Sequence, residues 1–164
     1  MIMKGRAWTF GDNISTDQII PGRFFHLRSD LNELAKHAFA DIAPGFHQKA
    51  QKGDIIIGGQ NFGLGSSREH APIVIKLAGI SAVVAKSFAR IFYRNAINVG
   101  LPAIICDVEG INEGDELELQ VNKGVLLDRT RDLEKRFNPL PPIMQGILNQ
   151  GGLASYIRKQ GGFR

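Results

Sequence analysis

Thiols are nearly absent from this chain: of its 164 residues, one, Cys106, is cysteine. A single thiol excludes an intrachain disulfide, and also an iron–sulfur cluster held by this chain alone, which takes several thiolates. Cys106 closes the apolar run that starts at Leu101, where a buried and inert thiol is expected. Metal-ligand spacing is missing as well. The four histidines, His26, His37, His47 and His70, are dispersed, so no metal site is expected in this chain. No apolar run reaches the ~20 residues of a membrane helix, so no membrane association is expected. The start, Met1 to Trp8, is too short in its apolar part for a signal peptide, and the expected compartment is the cytoplasm. No internal repeat, low-complexity tract or linker is evident, and no Gly-Lys-Ser/Thr phosphate loop occurs. Runs of one charge are also absent. The net charge of +4 and pI near 9.4 come from scattered basic residues, with Arg158, Lys159 and Arg164 reading as a solvated end. Such a field suits an anionic substrate or an acidic partner surface and lends little support to nucleic-acid binding.

Against these absences, a hydrophobic content of 43% with 22% charged residues describes a soluble globular chain. Its length suits a single domain over residues 1–164, large enough for one real core. The organising stretch runs from Asn61 to Ala71. An apolar, β-branched run from Asp54 to Gly59 precedes it and reads as a buried strand. The apolar segment from Pro72 to Ala78 follows and ends at Gly79, as helices do. The stretch is therefore a glycine-rich turn between the carboxyl end of a strand and the amino end of a helix, where open α/β sheets place ligands. Gly63 and Gly65 permit unusual backbone angles and close approach. Unpaired N–H groups at a helix start favour an anion, and Arg68 supplies a planar cation able to grip a carboxylate through two hydrogen bonds. Ser66 and Ser67 add two hydroxyls. The set suits a carboxylate substrate and a serine made unusually acidic. The same residues also fit a capping box, Ser66 as N-cap with Glu69 reaching back; the two readings are compatible. Gly63 to Arg68 begins like a dinucleotide fingerprint, but arginine stands where its third glycine belongs.

Along the chain, Lys4 to Phe10 reads as a first strand, with turn chemistry at Gly11 to Asn13. Asp12 and Asp17 read as turn or capping acids on spacing alone. Ser29-Asp30 is placed to cap a helix over about 31–40, preceded by the aromatic loop Phe24 to Arg28. Ile80 to Ala85 reads as a second parallel strand. Ser87 is placed to cap a helix to about Asn98, and a third strand ends at Cys106. Strands alternating with helices indicate right-handed βαβ units. Beyond Asp107 the pattern changes: Glu116 to Val121 alternates, turns at Asn122-Lys123-Gly124 and returns over Val125 to Thr130, an antiparallel hairpin. Two short helices, about 143–149 and 153–159, close the chain.

Two blocks, Gly65-Ser66-Ser67-Arg68-Glu69-His70-Ala71 and Lys86-Ser87-Phe88-Ala89-Arg90-Ile91-Phe92-Tyr93-Arg94-Asn95, closely resemble the swivelling domain of the aconitase superfamily. Within it the chain resembles the small-subunit family of the 3-isopropylmalate dehydratases (isopropylmalate isomerases) from about Gly5 to Arg158. Homoaconitase and dimethylmalate dehydratase small subunits look much the same. The resemblance implies an α/β fold of the swivelling β/β/α type, a central parallel sheet with βαβ units plus a second antiparallel sheet. It implies Ser66 as catalytic base, and Ser67 and Arg68 as substrate-binding residues, with Gly63, Gly65 and His70 supporting them. The Thr16-Asp17 signature is shared too, which places Asp17 near the site, orienting an arginine or a histidine of a partner. His26-Leu27-Arg28-Ser29 is similar to the family's Tyr-Leu-Arg-Thr loop with two changes. Arg28 then meets the distal carboxylate and Leu27 the alkyl group. Ser87 and Arg90 read as structural.

The chemistry this suggests is proton abstraction next to a carboxylate. A neutral serine is a weak base, so its alkoxide needs stabilisation by nearby cations and amide dipoles. The developing carbanion charge falls on the carboxylate held by the same donors. A group to remove the hydroxyl is missing. The resemblance supplies it as a 4Fe-4S iron–sulfur cluster in a separate large subunit, with the site shared between the chains. The implied reaction is dehydration and rehydration of a small di- or tricarboxylate, for isopropylmalate a step of leucine biosynthesis, and the chain alone should be inactive. Self-association of the isolated subunit stays open, as does the order of the 23–44 segment, which is expected to be mobile without its partner. Two other classes compete. A stand-alone anion- or RNA-binding module lacks any RNA-binding motif. An independent serine hydrolase lacks the Gly-x-Ser-x-Gly elbow and offers only His70 nearby.

Overall fold

A computed structural model describes residues 1–161; Arg164 lies outside the described residues. Three short, fully β-branched or small apolar strands form the parallel part: β2 (Ile55–Gly58), β3 (Ala82–Ala85) and β4 (Ala103–Ile105). Every residue of β2 and β3 is buried, as expected of parallel strands covered on both faces. β1 (Ile2–Thr9) adds to this part at one edge, pairing Ala7, Trp8 and Thr9 in parallel with Ile55, Ile56 and Ile57. Its earlier half, Ile2 to Arg6, instead pairs antiparallel with β5 (Glu116–Gln120). β6 (Val125–Asp128) and β7 (Leu133–Arg136) continue the antiparallel part. The strand order is β4-β3-β2-β1-β5-β6-β7.

The parallel core and the antiparallel sheet are thus as expected, but they are continuous through one strand. The handover occurs beside Gly5, where a Cβ would stand 2.0 Å from the Gly53 carbonyl oxygen. Just beyond it, the buried Asp54 ties the junction, accepting from Arg6 N at 3.2 Å, Trp8 Nε1 at 2.9 Å and Gln51 N at 2.9 Å. β7 escaped the sequence reading because Leu133-Glu-Lys-Arg136 carries three charges. That composition suits an outermost strand, where charge discourages further pairing.

Helices α1 (Thr16–Ile19), α2 (Leu31–Ala35), α3 (Phe46–Lys49), α4 (His70–Leu77), α5 (Arg90–Asn98), α6 (Pro142–Asn149) and α7 (Leu153–Gln160) surround the sheet. α2 is capped by Asp30, as expected, but ends five residues before the anticipated Ala40. Residues 22–27 form a 3-10 helix. The 23–44 segment packs onto the core through Leu34, Ala35, Ala38 and Phe39. Phe39 stacks on Phe10 at 4.6 Å, and Arg23 grips Asp41 through both terminal nitrogens at 2.9 and 2.6 Å. Cys106 is buried, which pushes its thiol pKa up to about 11.

Candidate active site

The site forms where three loops leave the carboxyl ends of β1, β2 and β3, the position an open α/β sheet offers a ligand. The central loop, residues 59–69, is stitched to both neighbours by backbone hydrogen bonds. Toward the β1 loop, Gly59 N donates to Gly11 O (3.2 Å), Asn13 N to Gln60 O (2.7 Å) and Gly63 N to Ile14 O (2.7 Å). Toward the β3 loop, Phe62 N donates to Ser87 O (3.1 Å) and Ala89 N to Phe62 O (3.0 Å). Phe62 is fully buried and packs edge-on against Phe92 and Phe88 at 5.4 and 6.1 Å. The loop is consequently a rigid platform, with Ser66 and Ser67 exposed at its crest.

Gly63 is required here. Its φ is +87°, and a Cβ would lie 2.2 Å from Phe92 Cγ. Gly65, at φ +108°, leaves room for the Thr16 hydroxyl, 3.2 Å from where its Cβ would be. Together with Ser66, Ser67, Arg68 and Phe92, these residues line a cavity of about 120 Å³ whose far wall is the start of α5, with Arg90, Ile91 and Asn95.

Arg68 is held from three sides. Its Nη1 donates to Ile20 O at 2.8 Å, its Nη2 meets Asp17 Oδ1 at 2.8 Å, and its Cζ lies 4.9 Å over the Phe25 ring. A guanidinium has five N–H donors in one plane, so three remain for a ligand after these two contacts. The side chain keeps 21% exposure, whereas Asp17 keeps 68%. Asp17 therefore orients Arg68 while facing outward.

The structure brings together Ser66, Ser67, Arg68, Gly63 and Gly65 at the cavity, and Asp17 through Arg68. Arg28, Leu27 and His70 are not on its wall. Arg28 and His70 reach the site's margin through Phe25, Arg28 Cζ at 5.3 Å over the ring and His70 edge-on at 5.5 Å. Leu27 is half-buried against the core.

The capping expectations change. α4 begins at His70, with Glu69 in the N-cap place and no side-chain cap bond, so Ser66 precedes the helix and its hydroxyl is not consumed as a cap. The capping box lies instead at α1, where Ser15 and Gln18 satisfy each other's backbone N–H groups. Ser87 does not cap α5 either; its Oγ accepts from Asn61 N at 2.8 Å and steadies the loop. Thr16, Phe25 and Asn95 were missed as site residues, and Arg90 was read as structural. Thr16 and Phe25 were in view, one beside Asp17 and one in the aromatic loop, but nothing local marks them.

Comparison with known proteins gives the family of the chain. The model of the aconitase C-terminal domain matches residues 12–107. The chain is 59% identical over 161 residues to 3-isopropylmalate dehydratase small subunit 2 of Archaeoglobus fulgidus, covering 98% of both chains. It is 58% identical over 163 residues to small subunit 1 of Thermotoga maritima, covering 99% of this chain and 98% of that one. This chain belongs to the aconitase C-terminal domain family. Its fold also superimposes on the crystal structure of 3-isopropylmalate dehydratase from Methanocaldococcus jannaschii, with a TM-score of 0.93 and 46% identity. That match covers 98% of this chain and 96% of the other. For a member of the aconitase family the donor set is informative. The one thiol is buried and held protonated, and among the described residues no group of three His, Cys, Asp or Glu is placed to hold a metal. The residues of this chain do not fit an iron–sulfur cluster.

Proposed function

We propose that this chain is the small subunit of a 3-isopropylmalate dehydratase, one domain of a two-chain hydro-lyase acting in the cytoplasm. It interconverts 2- and 3-isopropylmalate by dehydration and rehydration, a step of leucine biosynthesis. The observation that carries the reading is the placement of Ser66 beside Arg68 at one cavity, with Arg68 fixed by Asp17 and Ile20 O. The free N–H edge of Arg68 grips a substrate carboxylate. Ser66, as alkoxide, takes the proton from the adjacent carbon, and Ser67 adds a donor at the mouth. Arg68 and nearby backbone N–H groups stabilise both the alkoxide and the carboxylate that receives the carbanion's charge. Arg28, at the margin beyond Phe25, meets the distal end of the substrate, and Leu27, next to it in the chain, the alkyl group. Departure of the hydroxyl would fall to the large subunit, where an iron–sulfur cluster would supply the Lewis acid.

The test is co-production with the cognate large subunit under anaerobic conditions, followed by hydration of isopropylmaleate, homoaconitate and dimethylmaleate side by side. Isopropylmaleate is the expected substrate. Ser66→Ala should lose about 10²- to 10⁴-fold in kcat, the range for a general base, with the complex intact. Preference for either other acid would redirect the substrate; an active Ser66→Ala complex would remove the base.

A further inference from the structure

Thr16 is 2% exposed, and among the described residues its hydroxyl bonds to Ser66 alone. Its Oγ1 donates to the Ser66 carbonyl at 3.0 Å and lies 3.3 Å from Ser66 Oγ. A hydroxyl has one proton, and a carbonyl only accepts. With the Thr16 proton on the carbonyl, the contact between the two hydroxyls requires Ser66 O–H to donate to Thr16. Once Ser66 has lost its proton, the same two oxygens are bonded only if Thr16 turns its own proton toward Ser66 Oγ. The turn leaves the Ser66 carbonyl paired, because Arg68 N already donates to it at 2.8 Å. The rest of Thr16 is anchored, its backbone N donating to Leu64 O at 2.8 Å, and glycine at position 65 leaves its hydroxyl free to rotate.

We propose that Thr16 is a positioning residue that switches its hydroxyl proton from the Ser66 carbonyl to Ser66 Oγ and so stabilises the alkoxide. No proton is transferred between the two side chains; the proton Ser66 gains comes from substrate carbon. The inference rests on Ser66 being the base.

The experiment uses the assembled two-chain enzyme carrying Thr16→Val, Thr16→Cys or Thr16→Ser, with Ser66→Ala alongside and thermal melts to verify folding. Thr16→Val should lower kcat by roughly 10- to 100-fold, at or below the loss of one oxyanion donor, with KM little changed. The acid limb of its kcat–pH profile should move to higher pH, because an alkoxide without its donor needs more alkaline conditions to form. Thr16→Ser should restore both rate and profile, and Thr16→Cys, a weak donor of similar size, should fall between. If Thr16→Val does not fold, the Thr16→Cys and Thr16→Ser pair makes the same comparison. An unchanged rate and profile beside an inactive Ser66→Ala overturns the inference alone, as does a slower enzyme with an unshifted limb. A fully active Ser66→Ala overturns the reading it rests on.

Discussion

Arg68 commits two of its N–H donors to the protein before any ligand arrives, one to Ile20 O and one to Asp17. These contacts stop the long side chain from sampling its rotamers, so less entropy is lost when a carboxylate binds. A lysine keeps the charge but lacks the planar fork, and its three N–H donors cannot hold Asp17 and Ile20 O and still offer a carboxylate two parallel bonds. Arg68→Lys should therefore raise KM about 10- to 100-fold, matching the ~1.5–3 kcal/mol of charge-assisted hydrogen bonds, with a smaller effect on kcat. Steady-state kinetics of the assembled enzyme check this; an unchanged KM would place the carboxylate elsewhere. At this scale the sequence was informative about which residues matter. Ser66, Ser67 and Arg68 stand together in one motif. Their true partners do not: Thr16 is 50 positions from Ser66, and Asp17 and Ile20 interact with Arg68 across the same kind of gap.

Among the elements, β1 has the most demanding place, because it serves two sheets in turn. Adding a methyl group at Gly5 would drive it into the Gly53 backbone, which no side-chain rotation can relieve. Gly5→Ala is expected to destabilise the fold by about 1–3 kcal/mol or more, seen as a lower midpoint in urea unfolding. A midpoint equal to wild type would mean that β1 and the 53–54 turn can separate cheaply. The hairpin side carries a different kind of strain. Asp115 and Asp128 are both buried, and among the described residues no group donates to Asp128 Oδ2. Burial and the hydrogen bond with Asp115 raise the Asp128 pKa. For Asp115 burial also opposes charge, but the hydrogen bonds from Asp128, Asn112 N and Arg131 outweigh it and the net direction is down. Of the two, Asp128 is therefore the carboxyl that binds a proton more readily. A raised folded-state pKa means that Asp128 contributes fully below the ordinary carboxylate range and loses that contribution as pH rises through its folded value. Asp128→Asn keeps a donor toward Asp115 at every pH. Its unfolding midpoint should therefore hold up better than wild type as pH rises above the ordinary carboxylate range, measured by urea titration at several pH values. A parallel decline of both proteins would contradict the raised Asp128 pKa.

For the whole molecule, one continuous hydrophobic core joins the parallel and antiparallel parts, from Leu101 and Ile104 through Ile55 and Ala7 to Leu119 and Leu126. Trp8 sits at their junction, bonded to Asp54 and edge-on to Phe46 at 4.7 Å. The isolated chain should consequently unfold as one unit, with Trp8 fluorescence and far-UV circular dichroism giving coincident transitions. Two separated transitions would mean that the hairpin side is a folding unit of its own.

Local pattern alone determined much of this protein. Buried runs such as Ile55 to Ile57 and Ala82 to Ala85 declare parallel strands, because only a sheet covered on both faces tolerates such continuous apolarity. The alternation at Glu116 to Gln120 declares a strand with one wet face, and the Gly63 to Arg68 motif marks where ligand chemistry belongs. Tertiary structure decided the rest. It made one continuous sheet of two by passing β1 between them, assigned the capping box to Ser15 rather than Ser66, and turned the 23–44 segment into a packed wall. It also set Thr16 under Ser66 and Asp17 beside Arg68. Periodicity reports how a residue relates to neighbours one turn or one pleat away. A hydrogen bond across 50 positions exists only once the chain has closed on itself.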